Sequence, residues 1–179
     1  EDKKGYFQAA HGGTLFLDEV GNLSYENQIQ LLRALQERQV KPVGSNVAVA
    51  VDIRVISATN EALREAVADG TFREDLYHRL NEFSVEIPPL RERKEDLLFF
   101  IDAFLREANE LLNKNVVGVS KEVMIAFRAY HWPGNLRELK NVIKRAVLLT
   151  EGTLILLDVI PREVLQVKDK ESKLVDFSK

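Results

Sequence analysis

Cysteine is absent from the 179 residues, which excludes disulfides and thiolate metal sites and fits a reducing cytosol. Long hydrophobic runs are absent too. No stretch approaches the roughly 20 apolar residues of a membrane-spanning helix, and no signal-peptide pattern opens the chain, so the expected location is cytoplasmic with no membrane contact. An excess of one charge is also missing: 25 Lys and Arg face 28 Asp and Glu, a net charge of −3. That balance argues against a generally basic nucleic-acid binder while leaving room for a local patch. His11, His78 and His131, the three histidines, share no ligand spacing, so a histidine metal site is not expected. Methionine occurs once, at Met124, and the chain opens on Glu1-Asp2-Lys3-Lys4; it is expected to be a piece of a longer protein. No internal repeat or low-complexity tract is visible.

What is present is ordinary globular material, 45% hydrophobic and 30% charged, with one conspicuous junction. The stretch GGTLFLDEVGN, residues 12–22, runs four residues suited to a buried strand straight into Asp18 and Glu19. Burying an unpartnered carboxylate costs several kcal/mol, so two acids directly after such a strand belong at its mouth. The carboxyl ends of parallel strands are where open α/β sheets bind ligands. Downstream, residues 24–39 predict a helix with Ser24 as N-cap and Ile29, Leu32 and Leu35 on one face. Residues 40–51 read as a hairpin in which Pro42 holds the first strand to an edge. A second β-rich run, 53–59, ends on polar Asn60. Short helices are expected over 61–67 and 72–80, separated by Gly70, and a third strand over 83–87, stopped by Pro88-Pro89.

From Lys94 the pattern becomes purely helical. Leu97, Leu98, Ile101, Phe104, Leu105, Ala108, Leu111 and Leu112 form a broad apolar face. A helix over about 120–130 carries Val123, Met124 and Phe127. The turn Trp132-Pro133-Gly134 leads to Asn135, which with Glu138 three residues on reads as a capping-box variant opening a further helix. The chain therefore divides near Pro88-Pro89 into an α/β part, residues 1–90, and a helical part, 91–163; residues 164–179, mixed in charge and poor in apolar side chains, read as a linker.

Each candidate site residue admits two readings. Asp18 and Glu19 fit solvated acids at a strand end, or a Mg²⁺-nucleotide site in which the Asp helps hold a hydrated metal and the Glu polarises the attacking water. Arg73 and Arg79, in FREDLYHRL, fit solvated arginines paired to Glu74 and Asp75. Six residues apart, they point about 120° apart on an ideal helix and do not grip one phosphate from one face; projecting from a subunit edge, a guanidinium can instead stabilise charge in a neighbour's site. Arg137, in the first turn of a helix, opposes the helix dipole; it is either a surface arginine or the partner of an anion bound there.

Taken in order, GGTLFLDEV, ISATN, FREDLYHRL, PPLRER and WPGNLRELKN resemble the AAA+ ATPase domain of bacterial sigma-54-dependent transcription activators, the enhancer-binding proteins. The resemblance covers residue 5 to about 160. It implies an α/β fold with a P-loop-type parallel sheet, incomplete in this chain, followed by a small all-α lid. It further implies ATP and Mg²⁺ as ligands, with Asp18 and Glu19 as the Walker B pair, Asp18 holding Mg²⁺ through water, and Asn60 as the sensor I residue that reads the γ-phosphate. Arg73 and Arg79 match the two trans-acting arginine-finger positions, and Arg137 matches sensor II in the lid. The implied partners are the sigma-54 RNA polymerase holoenzyme, further copies in a hexameric or heptameric ring, and DNA through a separate domain.

The departures matter as much. The sequence contains no G-x-x-x-x-G-K-[ST], nor any Gly-Lys pair, so the phosphate-cradling loop is missing, as is the GAFTGA loop that contacts sigma-54. The chain thus resembles the C-terminal portion of the domain and is expected to be inactive as an ATPase alone. By the same resemblance the phosphate-loop strand belongs between residues 53–59 and 83–87, so either another polypeptide supplies it or 83–87 pairs elsewhere. Two functions stay open: part of an ATPase motor, or a non-catalytic AAA+ interaction and oligomerisation module.

Overall fold

A computed structural model describes residues 4–42, 44–45 and 47–165; most of the expected linker, 166–179, lies outside them. The chain forms two compact units, Glu1–Val85 and Glu86–Lys179.

The first unit holds α1 (Tyr6–Ala9), β1 (Thr14–Leu17), α2 (Tyr25–Glu37), β2 (Gln39–Val40), β3 (Val49–Ala50), β4 (Arg54–Ser57), α3 (Leu63–Ala68) and α4 (Glu74–Leu80). β1 and β4 pair in parallel with Thr14 opposite Arg54 and Leu17 opposite Ser57, while β2 and β3 make the antiparallel hairpin expected over 40–51. Ser24 caps α2, its Oγ accepting from Asn27 N at 3.4 Å. The face α2 buries is Gln28, Leu31, Leu32 and Ala34, rotated from the expected Ile29–Leu32–Leu35 stripe, and Leu31 and Leu32 pack with Phe72 and Leu76 into one small core. Gly70, at φ +72°, turns the chain between α3 and α4, a conformation that costs any residue with a Cβ.

The third strand does not form. Residues 83–87 form no strand and have no ladder partners, and Phe83, Val85 and Ile87 are 85%, 72% and 74% exposed. A strand needs a neighbour's N–H and C=O groups, and among the described residues none lies alongside.

The second unit holds α5 (Leu97–Leu112), β5 (Gly118–Val119), α6 (Lys121–Ala129), α7 (Asn135–Leu149), β6 (Leu154–Ile155) and α8 (Arg162–Leu165). Short 3₁₀ turns at Leu90–Glu92 and Lys94–Asp96 lead into α5. Leu97, Ile101, Leu105 and Ala108 turn inward from α5, whereas Leu98 and Leu111, expected on the same face, are exposed. They meet Val123 and Phe127 of α6 and Leu139, Ile143 and Ala146 of α7 in a continuous core. Ser120 caps α6 by accepting from Val123 N. Asn109 closes the loop after α5 by bonding both main-chain groups of Val116. Lys114 Nζ donates to Thr150 O at the end of α7, where a cation suits the helix dipole.

This contrast predicts unequal local stability. Ile101, Phe127, Leu139 and Ile143 are at most 1% exposed, whereas Phe16 of β1 is 59% exposed. Hydrogen exchange on the 179-residue chain should show α5 and α7 amides protected at least about tenfold more than β1 and β4 amides; equal protection would contradict it.

Candidate functional site

Because β1 and β4 are parallel and in register, their carboxyl ends emerge together, and so do the loops that follow them. Ala58 N donates to Leu17 O at 2.8 Å and Val20 N returns to Ala58 O at 3.1 Å, stitching the two exits. Asp18 and Glu19 leave β1 and Asn60 leaves β4 at this one edge, all three exposed. Glu19 sits in the left-handed region, φ 52° and ψ 46°, a conformation costing roughly 1–2 kcal/mol for a residue with a Cβ. Local hydrogen bonds hold it there: Glu19 N donates to Asp18 Oδ1 at 3.0 Å, Asn22 N to Glu19 O at 3.0 Å, and Asn22 Nδ2 to Glu19 Oε2 at 3.2 Å. Gly21 lets the two loops approach; a Cβ there would lie 2.5 Å from Glu61 Oε2 and 3.0 Å from Thr59 Oγ1.

Among the described residues, no group of three carboxylate or imidazole side chains is arranged to enclose a metal. Asp18 and Glu19 offer hard oxygens at an open edge.

The two arginines part company. Arg73 is the N-cap residue of α4. Its Nε and Nη2 donate to Asp75 Oδ1 and Oδ2 at 3.0 and 2.6 Å, Nη1 donates to the Tyr25 hydroxyl at 2.8 Å, and the guanidinium lies 5.3 Å from the centre of the Tyr25 ring. The Arg73 hydrogen bonds hold the Asp75 carboxyl below the usual carboxylate range, and Asp75 in turn raises the Arg73 guanidinium. Arg79, in the last turn of α4, pairs with Glu82 and borders a hollow with Arg38, Ile53 and Val55.

Arg137 is exposed on the first turn of α7. That helix starts differently from the expected capping box. Gly134 is the N-cap, and Gly134 N donates to Glu138 Oε2 at 2.8 Å. Asn135 has φ +54°, outside the extended conformation of an N-cap, and its Oδ1 accepts from Leu90 N at 3.0 Å. Tyr130 OH takes the other Glu138 oxygen at 2.9 Å, and burial first, then Glu138, raises the Tyr130 phenol. The rigid turn places Arg137 on an open groove of about 410 Å³ shared with Asn141, Arg145 and Pro161.

Comparison with known proteins bears on both units. A family described as the Sigma-54 interaction domain matches residues 1–86, and one described as the AAA+ ATPase lid domain matches 91–176. The chain belongs to the AAA+ domain family of sigma-54-dependent activators. This AAA+ chain is 51% identical over 153 residues to nitrogen fixation protein VnfA of Azotobacter vinelandii, covering 86% of the chain and 29% of VnfA. It is 50% identical over 150 residues to the transcriptional regulatory protein ZraR of Salmonella typhimurium, covering 84% of the chain and 34% of ZraR. Crystal structures of NtrX from Brucella abortus superpose on it at 39% identity, with TM-scores of 0.87 for the ATP complex and 0.86 for the ADP complex. The ATP complex match covers 92% of this chain and 38% of NtrX. The AAA+ chain thus spans about a third of the length of the curated relatives it matches.

Several residues of this AAA+ chain that shape the site escaped the sequence reading. Asn141 and Arg145 follow Arg137 at i+4 and i+8, a spacing that was visible in the sequence and puts all three on one face. Gln28 and Tyr25, which hold Arg73, left no such signal.

Proposed function

We propose that this chain is part of an ATP-hydrolysing AAA+ motor that remodels the sigma-54 RNA polymerase holoenzyme to activate transcription in the cytoplasm. The observation that carries the reading is the in-register parallel pairing of β1 and β4, which brings Asp18, Glu19 and Asn60 to one open edge. In this reading Asp18 would hold hydrated Mg²⁺, which would supply positive charge against the ATP phosphates; Glu19 accepts a proton from the attacking water, and Asn60 reads the γ-phosphate. Arg73 and Arg79 act on the neighbouring subunit's nucleotide in a hexameric or heptameric ring, and Arg137 ties the lid, residues 91–163, to nucleotide state. DNA is contacted through a separate domain. The family match and the ATP and ADP complexes of NtrX support this assignment.

A second reading, a non-catalytic AAA+ interaction module, draws on one observation: both arginines are ion-paired inside their own chain. Mixed rings separate the two. In the full-length protein, Arg73→Ala or Arg79→Ala should lower ATP turnover far more than ATP affinity. Mixing either with Glu19→Gln subunits should restore part of the turnover, since some interfaces then pair an intact Glu19 with an intact arginine. Mixed rings no faster than either variant alone would reject the trans assignment, and a wild-type protein without turnover would favour the interaction module.

A further inference from the structure

Gln28 is 1% exposed, and both polar atoms of its amide are hydrogen-bonded, two of the three bonds to main-chain groups far along the chain. Nε2 donates to Leu23 O at 2.9 Å and to Thr71 O at 3.0 Å, and Oε1 accepts from Arg73 N at 2.9 Å. One buried amide therefore clamps the last residues before α4, on both sides of Phe72, to α2. Three residues earlier on the same face of α2, Tyr25 supplies its hydroxyl and ring to the Arg73 side chain, and Asp75 takes Nε and Nη2. A guanidinium carries five N–H donors. Three are used here, which leaves one N–H on each terminal nitrogen to meet an anion outside the subunit.

We propose that Gln28 is a positioning residue for Arg73: it fixes the main chain at Arg73 while Tyr25 and Asp75 fix the guanidinium, so that the arginine presents its two remaining N–H groups in one orientation. The proposal rests on the reading of Arg73 as a trans-acting arginine. A long side chain otherwise samples many rotamers, and ordering it only at the moment of phosphoryl transfer would weaken its effect. A buried glutamine is an unusual choice for packing alone, because each of its polar atoms must find a partner; here every partner belongs to the Arg73 loop or to the turn entering α2.

The test compares steady-state ATP hydrolysis by the full-length protein carrying Gln28→Met, Arg73→Ala and both together. Gln28→Met keeps the volume and removes all three hydrogen bonds. It should lower kcat by about 10²-fold, the order expected of an ångström-scale misplacement, with KM for ATP unchanged. The double variant should be no slower than Arg73→Ala alone. Mixing Gln28→Met with Glu19→Gln subunits should restore turnover, as for a lost arginine. Should Gln28→Met fail to fold, Tyr25→Phe decides: a kcat loss that vanishes in the Arg73→Ala background supports the cradle, and wild-type kcat overturns it. Arg73→Ala with wild-type kcat overturns the trans-arginine reading and this proposal with it. A slow Arg73→Ala beside a wild-type Gln28→Met, or a multiplicative double variant, overturns the Gln28 assignment alone.

Discussion

Replacing Glu19 by Gln in the full-length protein is expected to lower ATP turnover by about 10²–10⁴-fold, the contribution of a positioned general base, while ATP still binds. The substitution is close to isosteric. A glutamine carbonyl still accepts from Asn22 Nδ2, as Glu19 Oε2 does, and Asn22 N still donates to the main-chain carbonyl of the left-handed turn. What is lost is the capacity to take a proton from water. Rates of hydrolysis and nucleotide affinity, measured on the same preparation, check it: a variant within tenfold of wild type would remove Glu19 from the chemistry and return the pair to solvated acids at a strand end.

Phe127→Ala is expected to destabilise the helical unit by about 3–5 kcal/mol, enough to consume much of the roughly 5–15 kcal/mol that holds a typical domain together. Phe127 is 0% exposed and Trp132 2%; their rings meet edge to face at 5.2 Å, and the Trp132 indole N–H donates to the Phe127 carbonyl at 2.8 Å. Deleting the phenyl ring leaves a cavity in the core that also holds Val123, Leu139 and Ile143. Because Trp132 opens the turn into α7, the groove at Arg137 should loosen as well. Thermal unfolding followed by far-UV circular dichroism, with Trp132 fluorescence as a local probe, reads both effects. A midpoint within a few degrees of wild type would show that the core repacks.

The helices and the Ser24 cap follow from the sequence by itself, because those signals are local. Ser24 stands at its N-cap, the apolar spacing of residues 97–112 marks Leu97, Ile101, Leu105 and Ala108 as inward although Leu98 and Leu111 stay exposed, and Asp18-Glu19 after a strand marks a mouth by the cost of burying charge. The tertiary structure alone decided the rest. Pairing β1 with β4 joins residues about forty apart, which no periodicity announces, and only that pairing brings the strand ends that lead to the acids and to Asn60 out at one edge. The apolar alternation of residues 83–87 is a strand pattern that stays unpaired, since a ladder requires a neighbour as well as a propensity. Gln28 bonds the main chain at Arg73 across 45 residues, and Asn135 holds Leu90 across the same separation in place of capping its own helix. A side chain that satisfies a distant backbone group leaves no repeating mark on the residues around it.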